Sequence, residues 1–339
     1  KQRTLDGQPS ATINPNLTSA ADVTGASSLK SNLGICFMGP SPKATFDISN
    51  EIARKMLAAG GNVNALPNSD VIRRVQSGVD LTSADRGTWT IDFGMMSIEE
   101  AAKYEAPFEY LKANVYPVRS KNRRKSYAER WWQYAEARPG MRKALAGIRR
   151  FVATPEVAKY RVFVWRAAQH LCNQQTLVFA HDDDYFFGVL HSRAHEVWAR
   201  AQGTQLREKE SGFRYTPTTC FETFPLPQPL AEQQAAIAAA AKELDALRTA
   251  WLNPPEWTRE EALEFPGSVD GPWDRYIVGR DGPPGRPNPN NDAARPAVTP
   301  YRTGLVHYPR LIPKDAGCAA KLVKRTLTNL YNERPTWLA

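Results

Sequence analysis

Cysteine and histidine are scarce in this chain, and neither is spaced to hold a metal. The four cysteines, Cys36, Cys172, Cys220 and Cys318, lie far apart and form no C-x-x-C pair. That argues for a reducing compartment and against a disulfide framework, so the expected location is the cytoplasm. No apolar run approaches the roughly 18 residues that a membrane span needs, and no signal peptide opens the chain, so no membrane partner is expected. An initiator methionine is missing as well, and Lys1-Gln2-Arg3-Thr4-Leu5-Asp6-Gly7 reads as the middle of something larger.

Catalytic signatures are equally thin. There is no Ser-His-Asp or Cys-His arrangement, and His170, His191 and His195 stand beside apolar runs, where a satisfied core histidine is the simpler reading. His181-Asp182-Asp183-Asp184 could suggest a carboxylate metal cluster, but nothing downstream supplies a third acidic or Lys partner. It reads as a polar turn leading into a strand over Tyr185 to Leu190. Asn253-Pro254-Pro255-Glu256 follows a helix, not a strand, and ends in Glu where an aromatic would be needed to stack a base. A Gly-rich cofactor loop is absent too. No cofactor, metal or catalytic residue is therefore expected on this segment.

What is present is a focused positive charge. The chain carries 44 Lys and Arg against 35 Asp and Glu, a net charge of +9. The window Arg119 to Arg150 holds eleven basic residues and two acids, Glu129 and Glu136, so those 32 residues carry the whole excess. Such a stripe is the footprint of a polyanion partner, since phosphate contacts supply most non-specific DNA affinity through counterion release. Arg119, Arg123, Arg124, Arg138, Arg149 and Arg150 are candidates to pair with phosphates, and Asn122 can add a neutral hydrogen bond. Trp131 and Trp132 interleave with them, and at least one should be buried. A later loop, Arg207-Glu208-Lys209-Glu210-Ser211-Gly212-Phe213-Arg214, mixes both signs with small residues; Arg can read guanine and Glu can accept from cytosine in a major groove.

Periodicity gives an α+β chain. Residues 1–30 read as an extended connector. A mixed α/β body runs to about residue 228, with strands at 35–39, 88–93, 161–165 and 176–180 and helices at 48–57 and 194–201. Ser97 can cap a helix that opens at Ile98-Glu99-Glu100. Phe224-Pro225-Leu226-Pro227-Gln228-Pro229 ends that body. A helical C-terminal region follows over 229–339, with a long Ala-rich helix at 230–252 and a Pro/Gly-rich excursion at 266–300.

The order of motifs then resembles a known family. Arg119-x-x-Asn122-Arg123-Arg124, Trp131-Trp132 and Arg138-Pro139 precede Asp182-Asp183-Asp184-Tyr185-x-Phe187-Gly188-Val189-Leu190-x-Ser192-x-x-His195-x-x-Trp198. Phe213-Arg214-Tyr215-Thr216 and Phe221-Glu222-Thr223-Phe224-Pro225-Leu226-Pro227 follow, and Arg325 to Arg334 closes the series. This succession is similar to the target-recognition domain and C-terminal helical region of MmeI-like (type IIL) DNA methyltransferase–endonucleases and of related methyltransferases in phage defence. The resemblance implies that residues 31–228 clasp double-stranded DNA and choose a sequence. It also implies an N-terminal methyltransferase domain of the same protein, with S-adenosylmethionine and N6-adenine methylation. Carried over, the base-reading candidates are Glu210, Gly212 and Arg214. A stand-alone nucleic-acid-binding regulator and a structural subunit of a defence complex are the alternatives left open by the residues alone.

Overall fold

The computed structural model describes residues 3–5, 7–11, 13, 23, 25–205, 212–278 and 303–338. Glu210, residues 14–22 of the 1–30 connector and the later part of the 266–300 excursion lie outside the described residues.

In the first half of the body the strands are β1 (Cys36–Met38), β2 (Asp47–Ile48), β3 (Ile72–Gln76) and β4 (Trp89–Ile91). Next come β5 (Arg150–Pro155), β6 (Val157–Ala158), β7 (Val164–Ala167), β8 (His170–Cys172) and β9 (Thr176–Phe179). Two short strands, β10 (Thr204–Gln205) and β11 (Phe213–Arg214), complete the body. One four-stranded sheet has the order β8–β3–β4–β2, with β8 parallel to β3 and the rest antiparallel. A second is antiparallel throughout, in the order β1–β9–β5–β7. Glu156 is the single residue between β5 and β6, so the chain passes at that point from the second sheet into a small third one, β10–β11–β6.

Helix starts follow from capping side chains. In α1 (Asn50–Ala58) the Ser49 hydroxyl accepts from Ile52 N, and Ala53, Met56 and Leu57 bury one stripe. In α3 (Ile98–Ala101), Ser97 and Glu100 form the reciprocal capping box that the sequence predicts. Between and after these run α2 (Gly78–Thr82), α4 (Glu105–Asn114), α5 (Tyr116–Arg119), α6 (Lys125–Glu129) and α7 (Pro139–Leu145).

The stretch Tyr185 to Leu190, expected as a strand, is instead α8 (Asp184–His191). Asp183 decides it, because its carboxylate accepts from Phe186 N at 2.7 Å. Phe186, Phe187, Val189 and Leu190 are then buried at helical spacing. Gly188 lies so close to the long helix α10 that a Cβ would stand 2.6 Å from Ile237. Between them in sequence is α9 (Arg193–Gln202), and α10 itself spans Ala231–Leu252.

The C-terminal region is not purely helical. After α10 come two eleven-residue strands, β12 (Thr258–Ser268) and β13 (Thr303–Pro313), paired antiparallel along their whole length. They pack onto the body. Trp273 is fully buried 5.6 Å from Trp89, and its indole N–H donates to the carbonyls of Ser69 and Ile72. The helices α11 (Ala316–Leu322) and α12 (Leu327–Glu333) follow. Leu327 and Leu330 join the same apolar cluster as Ile72, Trp89 and Phe151. A second cluster, with Phe163, Phe179, Phe187, Tyr215 and Phe221, fills the space under β11.

Candidate nucleic-acid interface

The strands that flank residues 206–211 are tightly built. Phe213 and Arg214 pair with Ala158 and Val157 on one side and with Gln205 and Thr204 on the other. Gly212 has φ +81°, and a Cβ there would lie 2.0 Å from the Ala158 carbonyl oxygen. No side chain fits at Gly212, a base-reading candidate, because two backbones approach closely there. Beneath the strands sits Arg161, a buried guanidinium that donates to the carbonyls of Pro155 and Phe213 and to the Thr154 hydroxyl. It faces the rings of Phe213 and Tyr215 at 4.7 and 5.2 Å. Burial pulls its pKa down to about 10, so it stays charged at neutral pH. Nothing local in the sequence pairs Arg161 with a residue 52 positions on, and the residue-by-residue reading missed it.

Arg214 projects from these strands with half of its side chain exposed, and its Nε is 3.3 Å from the Glu156 carboxylate. The Tyr215 amide donates to the Glu156 carbonyl at 2.8 Å, while its hydroxyl and the ring of buried His195 lie 2.9 Å apart.

The basic stripe divides into two populations. Arg119 is corrected from a phosphate candidate: it is 1% exposed, and its guanidinium donates to the carbonyls of Pro42, Tyr127, Arg130 and Gln133. It anchors the turn that follows. Asn122 is exposed, but its side-chain oxygen accepts from Arg124 N at 2.9 Å, fixing an Asx turn. That turn presents Lys121, Arg123 and Arg124 to solvent, and the Arg124 guanidinium rests 5.3 Å from the Tyr127 ring. Arg130 is exposed beside them at a recess of about 330 Å³ lined also by Ser126, Gln133, Glu136 and Arg138. Arg138 pairs with Glu136, and Arg142 grips buried Asp92 with two bonds of 2.8 Å. Arg149 is exposed. Arg150 is drawn sideways, stacked 3.8 Å over Trp165 and bonded to Asp184 and the Asp182 carbonyl. Both Trp131 and Trp132 are buried, as packing requires of at least one.

The profile of the MmeI target recognition domain matches residues 63–228. That segment, a little under half of the chain, is similar to the MmeI target-recognition family. Both the strands around Gly212 and the turn at 120–124 lie within the matched segment. A solved structure of the type IIL restriction-modification enzyme MmeI in complex with DNA shares the fold, with a TM-score of 0.57 over 73% of this chain at 20% identity. The chain spans 32% of the length of that enzyme. No curated protein sequence matches it.

Three histidines of the matched segment, His170, His191 and His195, are held against main-chain carbonyls. His195 sits 2.8 Å from the Leu190 carbonyl, and burial lowers its pKa to about 4. Burial lowers His170 to about 3 and pushes His191 well below its ordinary value, the latter also against the Arg248 guanidinium 2.7 Å away. Asp182, Asp183 and Asp184 serve as carbonyl acceptor, helix cap and ion-pair partner, respectively. Among the described residues no group of His, Cys, Asp and Glu could hold a metal ion, and no helix is long and apolar enough to cross a membrane. Past that segment, the Pro254 carbonyl in the Asn253-Pro254-Pro255 turn accepts the Thr258 hydroxyl and so links α10 to β12.

Proposed function

We propose that this chain is the sequence-recognition segment of an S-adenosylmethionine-dependent N6-adenine DNA methyltransferase of a restriction–modification or phage-defence system. It clasps duplex DNA and positions a target adenine for a methyltransferase domain of the same protein. The match of residues 63–228 to a target-recognition family carries this reading. The geometry supports a division of labour: the exposed cations of the 120–124 turn, with Arg130 and Arg149, engage phosphates, and Arg214 reads a base edge. An adenine N6 inside the stack is out of reach, so the base must be flipped toward the catalytic part of such an enzyme.

The test is a titration of the chain against random-sequence duplex at several salt concentrations, followed by fluorescence anisotropy. Micromolar affinity that falls steeply with salt is expected, with the log–log slope reduced by about 2 in Arg123→Ala/Arg124→Ala. No binding at low salt, or a slope untouched by the double substitution, would refute the assignment of phosphate contacts.

A further inference from the structure

We propose that Glu156 is a positioning residue for base recognition: its carboxylate holds the Nε edge of Arg214 so that the Nη1/Nη2 fork meets the N7 and O6 acceptors of a guanine. The inference rests on the reading of the chain as a DNA-recognition segment.

A guanidinium offers two bidentate edges, one through Nε and one through the two terminal nitrogens. Glu156 stands 3.3 Å from Nε and blocks the first, and among the described residues neither terminal nitrogen of Arg214 has a partner. Two donors side by side suit guanine alone among the major-groove edges. Adenine shows an acceptor beside a donor, cytosine a donor, and thymine one acceptor beside a methyl.

The neighbouring carboxylate also argues against a phosphate. Glu156 is 20% exposed, and its negative charge offsets that of Arg214 while it would repel a phosphate oxygen. A neutral base edge meets no such repulsion. The cations of the 120–124 turn are the contrasting arrangement, with no carboxylate among the described residues paired to Arg123 or Arg124.

The spacing of the pair is fixed from below. Arg161 donates to the carbonyls of Pro155 and Phe213, the residues immediately before Glu156 and Arg214. One buried side chain thus ties both strands at the positions that aim the pair. The Gly212 approach to Ala158 closes the same two strands one residue further along. The function of Glu156 is to remove freedom from Arg214 before DNA arrives, since an unheld Arg carries a large rotamer entropy.

The experiment selects bound duplexes from a pool with randomised positions, using the full 339-residue chain, and reads the base frequency at every position. The unmodified chain should enrich guanine about tenfold or more at one position. Glu156→Gln should flatten that position alone, by about threefold or more, while affinity for random duplex holds or rises slightly. Arg214→Lys should flatten the same position, because an ammonium is a point donor. Glu156→Asp, which keeps the charge on a shorter arm, should retain part of the preference. Base frequencies unchanged in Glu156→Gln and Arg214→Lys, with affinity shifted equally for all sequences, would make Arg214 a phosphate clamp and overturn the proposal. So would a loss of folding common to Glu156→Gln and Glu156→Asp, which would mark Glu156 as structural. Failure of the unmodified chain to bind any duplex at low salt would instead overturn the recognition reading itself.

Discussion

Replacing Gly212 by Ala tests the architecture of the strands that flank residues 206–211, and the structure supplies its own control. Gly212 and Gly147 have nearly the same φ, +81° and +80°, but a Cβ on Gly147 meets nothing within 4 Å. Gly147→Ala should therefore cost only the left-handed strain, about 1–2 kcal/mol. At Gly212 the added Cβ would lie 2.0 Å from the Ala158 oxygen, where real Cβ atoms keep at least 3.0 Å. Strand β11 must retreat from β6 by about the 1 Å difference between those two distances. The bond from Arg161 Nη2 to the Phe213 carbonyl, 3.0 Å in the intact protein, then opens. A hydrogen bond to a buried charged group contributes about 1.5–3 kcal/mol, so Gly212→Ala should lose about 3–5 kcal/mol in total. Urea unfolding of both variants gives the comparison. Hydrogen exchange at the Tyr215 amide, bonded to the Glu156 carbonyl at 2.8 Å, reports whether the loss is local to β11. Equal destabilisation in the two variants, with Tyr215 protection retained, would refute the argument from close approach.

Arg119→Ala should destabilise the fold by about 3 kcal/mol, because four buried or half-buried carbonyls lose their donor. The salt dependence of DNA binding should stay as it is; a slope lowered by about one at unchanged stability would return Arg119 to the interface. Stability should also fall on acidification. The folded pKa of His195, about 4, lies below the ~6.5 of an unfolded histidine, so the unfolded state binds the extra proton between those values. The stabilisation is fully present above pH ~6.5 and declines by about 3 kcal/mol on the way to pH 4, with His170 and His191 acting in the same direction. Urea midpoints across pH 4–7 check this, and a His195→Gln variant should show a shallower decline; an identical decline would refute the assignment.

The elements legible in the sequence are those whose signals are local. Ser97 and Glu100 announce a helix within four residues, and Trp89-Thr90-Ile91 buries every side chain as a central strand should. The α8 segment misleads because its aromatic run Tyr185-Phe186-Phe187 favours a strand, while the cap on Asp183 is the deciding interaction. The β12–β13 pairing joins residues 258 and 313, and charged residues interrupt its inner face, so no short window reveals it. The interface shows the same split. The charge excess of 119–150 is a property of composition, whereas which guanidiniums turn inward depends on partners as distant as Pro42 for Arg119 and Asp92 for Arg142. Glu156 and Arg161 acquire meaning only when β6 and β11 meet.

The way Trp273 and the β12–β13 pair seal the first sheet bears on how such proteins can diversify. A transplant of residues 63–228 as a cassette would carry Trp89 and Ile72 away from their cover and leave behind Phe46, Ile48, Leu57, Phe265 and Tyr308, which share their cluster. On the proposed function, a change of target is therefore cheaper by single substitutions on a constant frame, at positions such as Arg214, than by recombination of whole modules. Lineages descended from one ancestor should keep the aromatic seal while their recognised sequences drift apart.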